Sequence, residues 1–215
     1  MGCLCEDTWL CDKCLHNIET VPLVCMDCKT NQPRGRTCHK CKQSLSLTGV
    51  VSVSKYESIV IRRGISWLKF KSIKDLSKPL AHLLISRLTI IAPLMQLHKD
   101  TALVPVPLYR TRLQKRGFNQ SLELCNVISH ALKIPVHEAV TRNKRTWTQA
   151  RLPTSLRTNN VNDAFEINDS INIERYKRII IVDDVTTSGS TLNAVAKPLW
   201  STKPQEIWGL TVARG

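Results

Sequence analysis

Two short stretches of this 215-residue chain concentrate the side chains that can do chemistry. Residues 179–191 read IIIVDDVTTSGST: four β-branched aliphatics, two adjacent aspartates, then hydroxyls around a single glycine. The small residues from Thr187 through Ser188, Gly189 and Ser190 to Thr191 let successive backbone N–H groups converge on one phosphate. The dipole of a helix starting there adds to the attraction. Asp183 and Asp184 suit a vicinal diol instead, accepting from its two hydroxyls directly or through a metal. A phosphate and a diol a few ångströms apart make ribose 5-phosphate. The loop lacks the Gly-Lys-Ser/Thr of a Walker loop, and no GxGxxG occurs in the chain.

The second stretch is cysteine-rich. Eight of the nine cysteines fall within residues 3–41 in close pairs: Cys3 and Cys5, Cys11 and Cys14, Cys25 and Cys28, Cys38 and Cys41. Two C-x-x-C knuckles complete a tetrahedral zinc site, and a reducing compartment disfavours disulfides. Eight thiolates imply two zinc ions, with the first two knuckles on one and the last two on the other. The CLC of residues 3–5 has one spacer rather than two. Either that tighter bite serves, or His16 replaces one sulfur. A segment this short, with few large apolar residues, depends on metal to fold.

Residues 1–41 carry five basic and five acidic residues, so the formal charge of +14 resides in residues 42–215. Its densest runs are RTRLQKR (110–116) and RNKRTWTQARLPTSLR (142–157), which suit a polyanion, either nucleic acid or a polyphosphorylated small molecule. Arginine's fork matches phosphate better than scattered lysines do. Trp147 offers a stacking surface to single-stranded nucleic acid, or packs against its own loop. No apolar run approaches the roughly 18 residues of a membrane span, and MGCLCEDTWL is not a secretory signal. The expected location is cytoplasmic.

These residues need positioning. GVVSVSKY (49–56), TALVPVPLY (101–109), KRIIIVDD (177–184) and QEIWGLTVAR (205–214) read as strands. Helical stretches are expected over ESIVIRRGISWLKF (57–70), over KPLAHLLISRLTIIAPLMQLH (78–98) with a break at Pro93, over NQSLELCNVISHAL (119–132) and over STLNAVAKPLW (190–200). In the third, Leu122, Cys125, Val127, Ile128 and Leu132 lie near one face. Strands alternating with helices make an α/β protein, and the apolar run before Asp183 suits a buried parallel strand. The loop of Thr187–Thr191 then falls where open α/β sheets bind ligands, at a strand's carboxyl end.

IIIVDDVTTSGST resembles the phosphoribosyl-pyrophosphate (PRPP) signature of type I phosphoribosyltransferases. The chain more specifically resembles the ComF family of competence proteins, through VPVPLYRTRLQKRGFNQS (104–121), RTWTQARLPTSLRTNNVNDAF (145–165), the PRPP loop, the final TVAR and the cysteine-rich N-terminus. The resemblance implies a type I phosphoribosyltransferase-like parallel sheet with helices on both faces (residues 45–215) behind a small double zinc ribbon (residues 1–44). It implies that Pro107 and Arg110 belong to a pyrophosphate loop and that Arg142, Arg145 and Gln149 belong to a flap over pyrophosphate, with Mg²⁺ bridging pyrophosphate and ribose. Arg112, Lys115, Arg116, Lys144 and Trp147 are the expected DNA contacts.

Two functions follow as expectations. One is an accessory role in DNA uptake, with bound PRPP, single-stranded DNA on the basic face, and a competence helicase or other uptake protein as partner. The other is an active phosphoribosyltransferase. No segment is evident that would grip a purine or pyrimidine, and no general base can be named.

Overall fold

The computed structural model describes residues 9–93, 97, 99–143 and 164–215. The expectations for Cys3, Cys5, Lys144, Arg145, Trp147 and Gln149 concern positions outside the described residues.

Strands β1 (Gly49–Lys55), β2 (Thr101–Pro105), β5 (Arg178–Thr186) and β6 (Glu206–Arg214) form one parallel sheet in the order β1-β6-β5-β2. A separate antiparallel pair, β3 (Val140–Arg142) with β4 (Phe165–Ile167), flanks the segment expected to form the flap. The helices are α1 (Asp12–His16), α2 (Ile59–Phe70), α3 (Ser77–Ile91), α4 (Arg110–Arg116), α5 (Gln120–Leu132) and α6 (Ser190–Leu199).

Alternation along β5 divides the core in two. Ile180 and Val182 join Val51, Val53, Trp208 and Leu210 beneath α2, α3 and α5. Ile179 and Ile181 join Val50 and Ile207 beneath α6, with Val140 and Phe165 of the small antiparallel pair. Because both faces are covered, β5 is apolar at every position from Ile179 to its acids, as parallel strands usually are. Each covering helix supplies a stripe at helical spacing: Ile61, Ile65 and Leu68 from α2, and Leu80, Leu84 and Leu88 from α3, all 0% exposed. α3 stops at Ala92, whose extended backbone is what a residue before proline adopts.

Two local expectations need correction. Of the face expected for α5, Cys125 and Ile128 are buried and Val127 and Leu132 pack half-buried against the core, but Leu124 takes the place of Leu122. Docking of the helix start sets that face, since Ser121 is fully buried. The basic run of residues 110–116 forms the short helix α4, closed by Gly117 at φ +81°. The two aspartates also sit inside β5 and not at its end, because β6 runs far enough to pair Asp183 with Thr211 and Thr186 with Arg214.

Both sheet edges are covered. Along β1, Val21 donates to the Val53 carbonyl at 3.0 Å, and antiparallel bridges join Thr20 to Ser54 and Arg36 to Gly49. The cysteine-rich segment thereby caps a strand edge that would otherwise invite pairing with other chains. Gly49 makes that approach possible, since a Cβ there would lie 2.5 Å from the Trp208 ring and 2.6 Å from the Gly35 carbonyl oxygen. Along β2, residues 135–137 bracket Leu103 with two backbone bonds. Among the described residues no helix is long and apolar enough to cross a membrane.

Candidate functional site

Asp183 and Asp184 stand at the carboxyl end of the sheet, 8% and 2% exposed. Each turns back on the chain: Asp183 Oδ1 accepts from the Asp184 N–H and Asp184 Oδ1 from the Val185 N–H, both at 2.9 Å. Ser121 Oγ, on the first turn of α5, donates to Asp183 Oδ1 at 2.9 Å. Asn119 fixes that turn by accepting from the Ser121 N–H and donating to the Val106 carbonyl at 3.1 Å. The start of α5 is thus fastened to the exit of β2 and aimed at the acid pair. Lys69, on the last turn of α2, sets Nζ 2.5 Å from Asp184 Oδ2. This is an ion pair without hydrogen-bond alignment, so the buried Oδ2 has no hydrogen-bond partner.

Burial lifts the Asp183 carboxyl to about 8, and the charge of Asp184 adds to the lift while Lys69 opposes it. Two carboxylates this close and this buried resist ionising together unless a cation joins them. Their hard oxygen donors, with one buried oxygen unbonded, fit a divalent cation such as Mg²⁺.

Beyond the acids the chain turns through residues 187–189 into α6. Gly189 caps α6 at φ +78°, a conformation that costs other residues about 1–2 kcal/mol. Thr187 and Ser188 are exposed, and Ser188 Oγ lies 3.1 Å from Ser190 Oγ. Four carried-over arginines behave differently from one another. Arg112, Arg116 and Arg142 are within electrostatic reach of the acids or of each other, and Arg116 feels both Asp183 and Asp184. Arg116 also donates to Gln120, and Arg142 lies over the Phe165 ring at 5.2 Å. Arg110 and Lys115 are exposed on α4, and Pro107 is half-buried in the turn before it. Of the expected DNA contacts, Arg116 therefore belongs to the acid pair's electrostatic surroundings and Arg112 to those of Arg116 and Arg142, whereas Lys115 faces solvent.

The four sulfurs of Cys25, Cys28, Cys38 and Cys41 lie within 4.8 Å of one another. A zinc ion with Zn–S bonds of about 2.3 Å needs sulfurs roughly 3.8 Å apart, so the set fits one structural zinc. The Cys38 N–H points to Cys25 Sγ at 3.5 Å. Without a metal the thiols compete for protons: the Thr30 hydroxyl and N–H draw Cys28 down to about 6, while Asp27, foremost, and burial push Cys41 up. Cys11 and Cys14 flank the start of α1 and the alternative ligand His16 ends it, while Cys3 and Cys5 lie outside the described residues.

This cluster touches the loop. A Cβ on Gly189 would lie 2.8 Å from Met26 Cγ, within the Cys25–Cys28 knuckle, and Asn193 of α6 accepts from the Ser46 N–H at 2.5 Å. Met26, Lys69, Asn119 and Ser121 were given no role by the sequence. For Lys69 a signal exists, because it continues the 61, 65 spacing of the buried α2 stripe where a lysine needs a partner.

A parallel sheet with paired acids ahead of a glycine-capped helix is the architecture of a phosphoribosyltransferase domain, and residues 119–214 match the phosphoribosyl transferase domain family. Over 95% of its length the chain is 36% identical to Competence protein F of Haemophilus influenzae, covering 90% of that protein. It is 31% identical to the DNA utilization protein YhgH of Escherichia coli K12 over 88% of the chain and 83% of the relative. It is 27% identical to Competence protein ComFC of Bacillus subtilis over 84% and 68%. The chain belongs to the ComF family.

Proposed function

We propose that this chain is a cytoplasmic accessory protein of DNA uptake that binds Mg²⁺-PRPP at the carboxyl end of its sheet and single-stranded DNA on the adjoining basic face. Relatives named for competence and DNA utilization support the role. The observation that carries the ligand is the buried Asp183–Asp184 pair ahead of the Gly189 loop, with Arg112, Arg116 and Arg142 close by. In this reading the residues from Thr187 to Thr191 hold the 5′-phosphate. Asp183 and Asp184 hold the ribose hydroxyls and the metal, and Pro107, Arg110, Arg142, Arg145 and Gln149 surround pyrophosphate. In this reading the ribbon (residues 1–44) presents a surface to a protein partner such as a competence helicase, beside a phosphoribosyltransferase-like domain of residues 45–215.

An active phosphoribosyltransferase with an unidentified acceptor is the second reading. What favours it is the retention of both carboxylates, since such transferases work by positioning and charge neutralisation.

Calorimetric titration of PRPP with Mg²⁺ tests the site. Wild type is expected to bind and the Asp183→Asn/Asp184→Asn variant to lose binding; absence of binding by wild type removes the reading. DNA contact is checked by the anisotropy of a labelled single-stranded oligonucleotide. Arginines shared between the two anions predict weaker DNA binding at saturating Mg²⁺-PRPP, and unchanged affinity rules sharing out.

A further inference from the structure

Asp184 already holds a cation. The Lys69 ammonium lies 2.5 Å from Oδ2, the carboxylate is 2% exposed, and the lysine keeps 23% of its side chain accessible. Asp184 Oδ1 is taken by the Val185 N–H, and Oδ2 accepts no hydrogen bond. A divalent cation approaching this carboxylate meets Lys69 on the oxygen it needs.

We propose that Lys69 makes the acid pair reject a free divalent cation and accept one delivered on a diphosphate. A free ion must expel an ammonium from a buried carboxylate. The ammonium is tethered to the last turn of α2, so the displacement leaves it without an anion and little is gained. A cation carried on a diphosphate brings that anion with it, and the displaced Lys69 swings on its flexible stem from carboxylate to phosphate oxygen. The count of ion pairs is then conserved while the metal takes the carboxylates. Lys69 is a positioning residue that couples metal to diphosphate, a reciprocal linkage in which each raises the other's affinity. The identity of the diphosphate rests on the PRPP reading above; the exclusion of the free ion does not.

The test titrates Mn²⁺, followed by its paramagnetic resonance, into the zinc-loaded full chain with and without PRPP. Asp184→Asn sets the background. An opposite charge in contact moves a carboxylate's equilibria by one to three decades, so Lys69→Met is expected to bind free Mn²⁺ about tenfold or more tightly than wild type. Lys69→Arg, which keeps the charge, stays near wild type, and the enhancement by PRPP shrinks in Lys69→Met. Free-Mn²⁺ affinity equal to or weaker than wild type in Lys69→Met overturns the proposal. Should that variant lose its cooperative thermal transition, Lys69→Gln is read by the same criterion. Failure of wild type to bind PRPP with Mn²⁺ defeats the PRPP reading separately, because the free-ion comparison needs no PRPP.

Discussion

The cysteine-rich segment and the sheet behind it achieve order by opposite means. The sheet distributes its stability over two apolar layers, where Leu84, Leu88, Ile180 and Ile181 are all fully buried. The segment up to Thr48 contributes few buried apolar residues, among them Leu10, Val21, Val24 and Met26, and gathers four sulfurs within 4.8 Å. A distributed core weakens by degrees, whereas a metal knot fails at a single atom. The two are nonetheless joined at the candidate ligand loop, where Met26 meets Gly189. Variants on each side can show how far the contrast holds.

The largest effect is expected for Cys25→Ser, which replaces a fully buried ligand of the sulfur cluster. Structural zinc in small sites is worth roughly 10–16 kcal/mol, so its loss exceeds what the segment's apolar contacts can supply. Elemental analysis should find one zinc fewer per chain, and hydrogen exchange should report lost protection through residues 9–48 while β2 and β5 keep theirs. Equal loss in β5 would make the two regions one cooperative unit and end the comparison. The matching change in the sheet is Leu84→Ala, expected to cost about 2–5 kcal/mol with zinc content unchanged. Chemical denaturation read beside zinc content checks it.

That contrast also explains what was legible. The sulfur cluster was visible because C-x-x-C spacing dictates geometry whatever surrounds it, and the outcome agrees at Cys25, Cys28, Cys38 and Cys41. The strands were visible because an unbroken apolar run such as residues 179–182 has few homes other than a covered parallel sheet. The face of α5 was less legible: Leu122 and Leu124 are alike as residues, and the tertiary docking of Ser121 chose between them. The spacing of α2 marks Lys69 as needing a partner, but which partner, like the contact of Met26, was illegible, because the contacts with Asp184 and Gly189 span more than a hundred residues of chain. Periodicity reports which face is buried and says nothing of what lies opposite.

The junction itself gives a smaller, sharper test. Gly189→Ala places a Cβ at φ +78° and 2.8 Å from Met26 Cγ. The backbone conformation alone costs about 1–2 kcal/mol, and the methionine must move as well. Met26→Ala relieves only the second part. The double variant should therefore be less destabilised than the sum of the single ones, and a double-mutant cycle on thermal or urea unfolding measures the difference. Strict additivity would mean that the ribbon and the loop are neighbours without mutual constraint.

The least costly perturbation is a change of pH, and it acts on the two sides of the comparison in opposite directions. Burial, with Asp184 beside it, raises the Asp183 carboxyl to about 8 in the folded chain, against roughly 4 when unfolded. A raised carboxyl pKa means that the folded state holds a proton the unfolded state has released. Between about pH 4 and pH 8 the unfolded chain binds fewer protons at this group, so stability falls as pH rises through that window. Below it the contribution is fully present, and above about 8 it is gone. The midpoint of ligand-free wild type should therefore decline toward pH 8 relative to Asp183→Asn, which cannot ionise. Zinc-bound thiolates lose metal on acidification instead, so protection of residues 9–48 should weaken in the opposite direction, at low pH. Opposite pH slopes for the two regions, read by hydrogen exchange on one sample, would separate them more finely than any substitution. Parallel slopes would mean that the acid pair does not set the sheet's response.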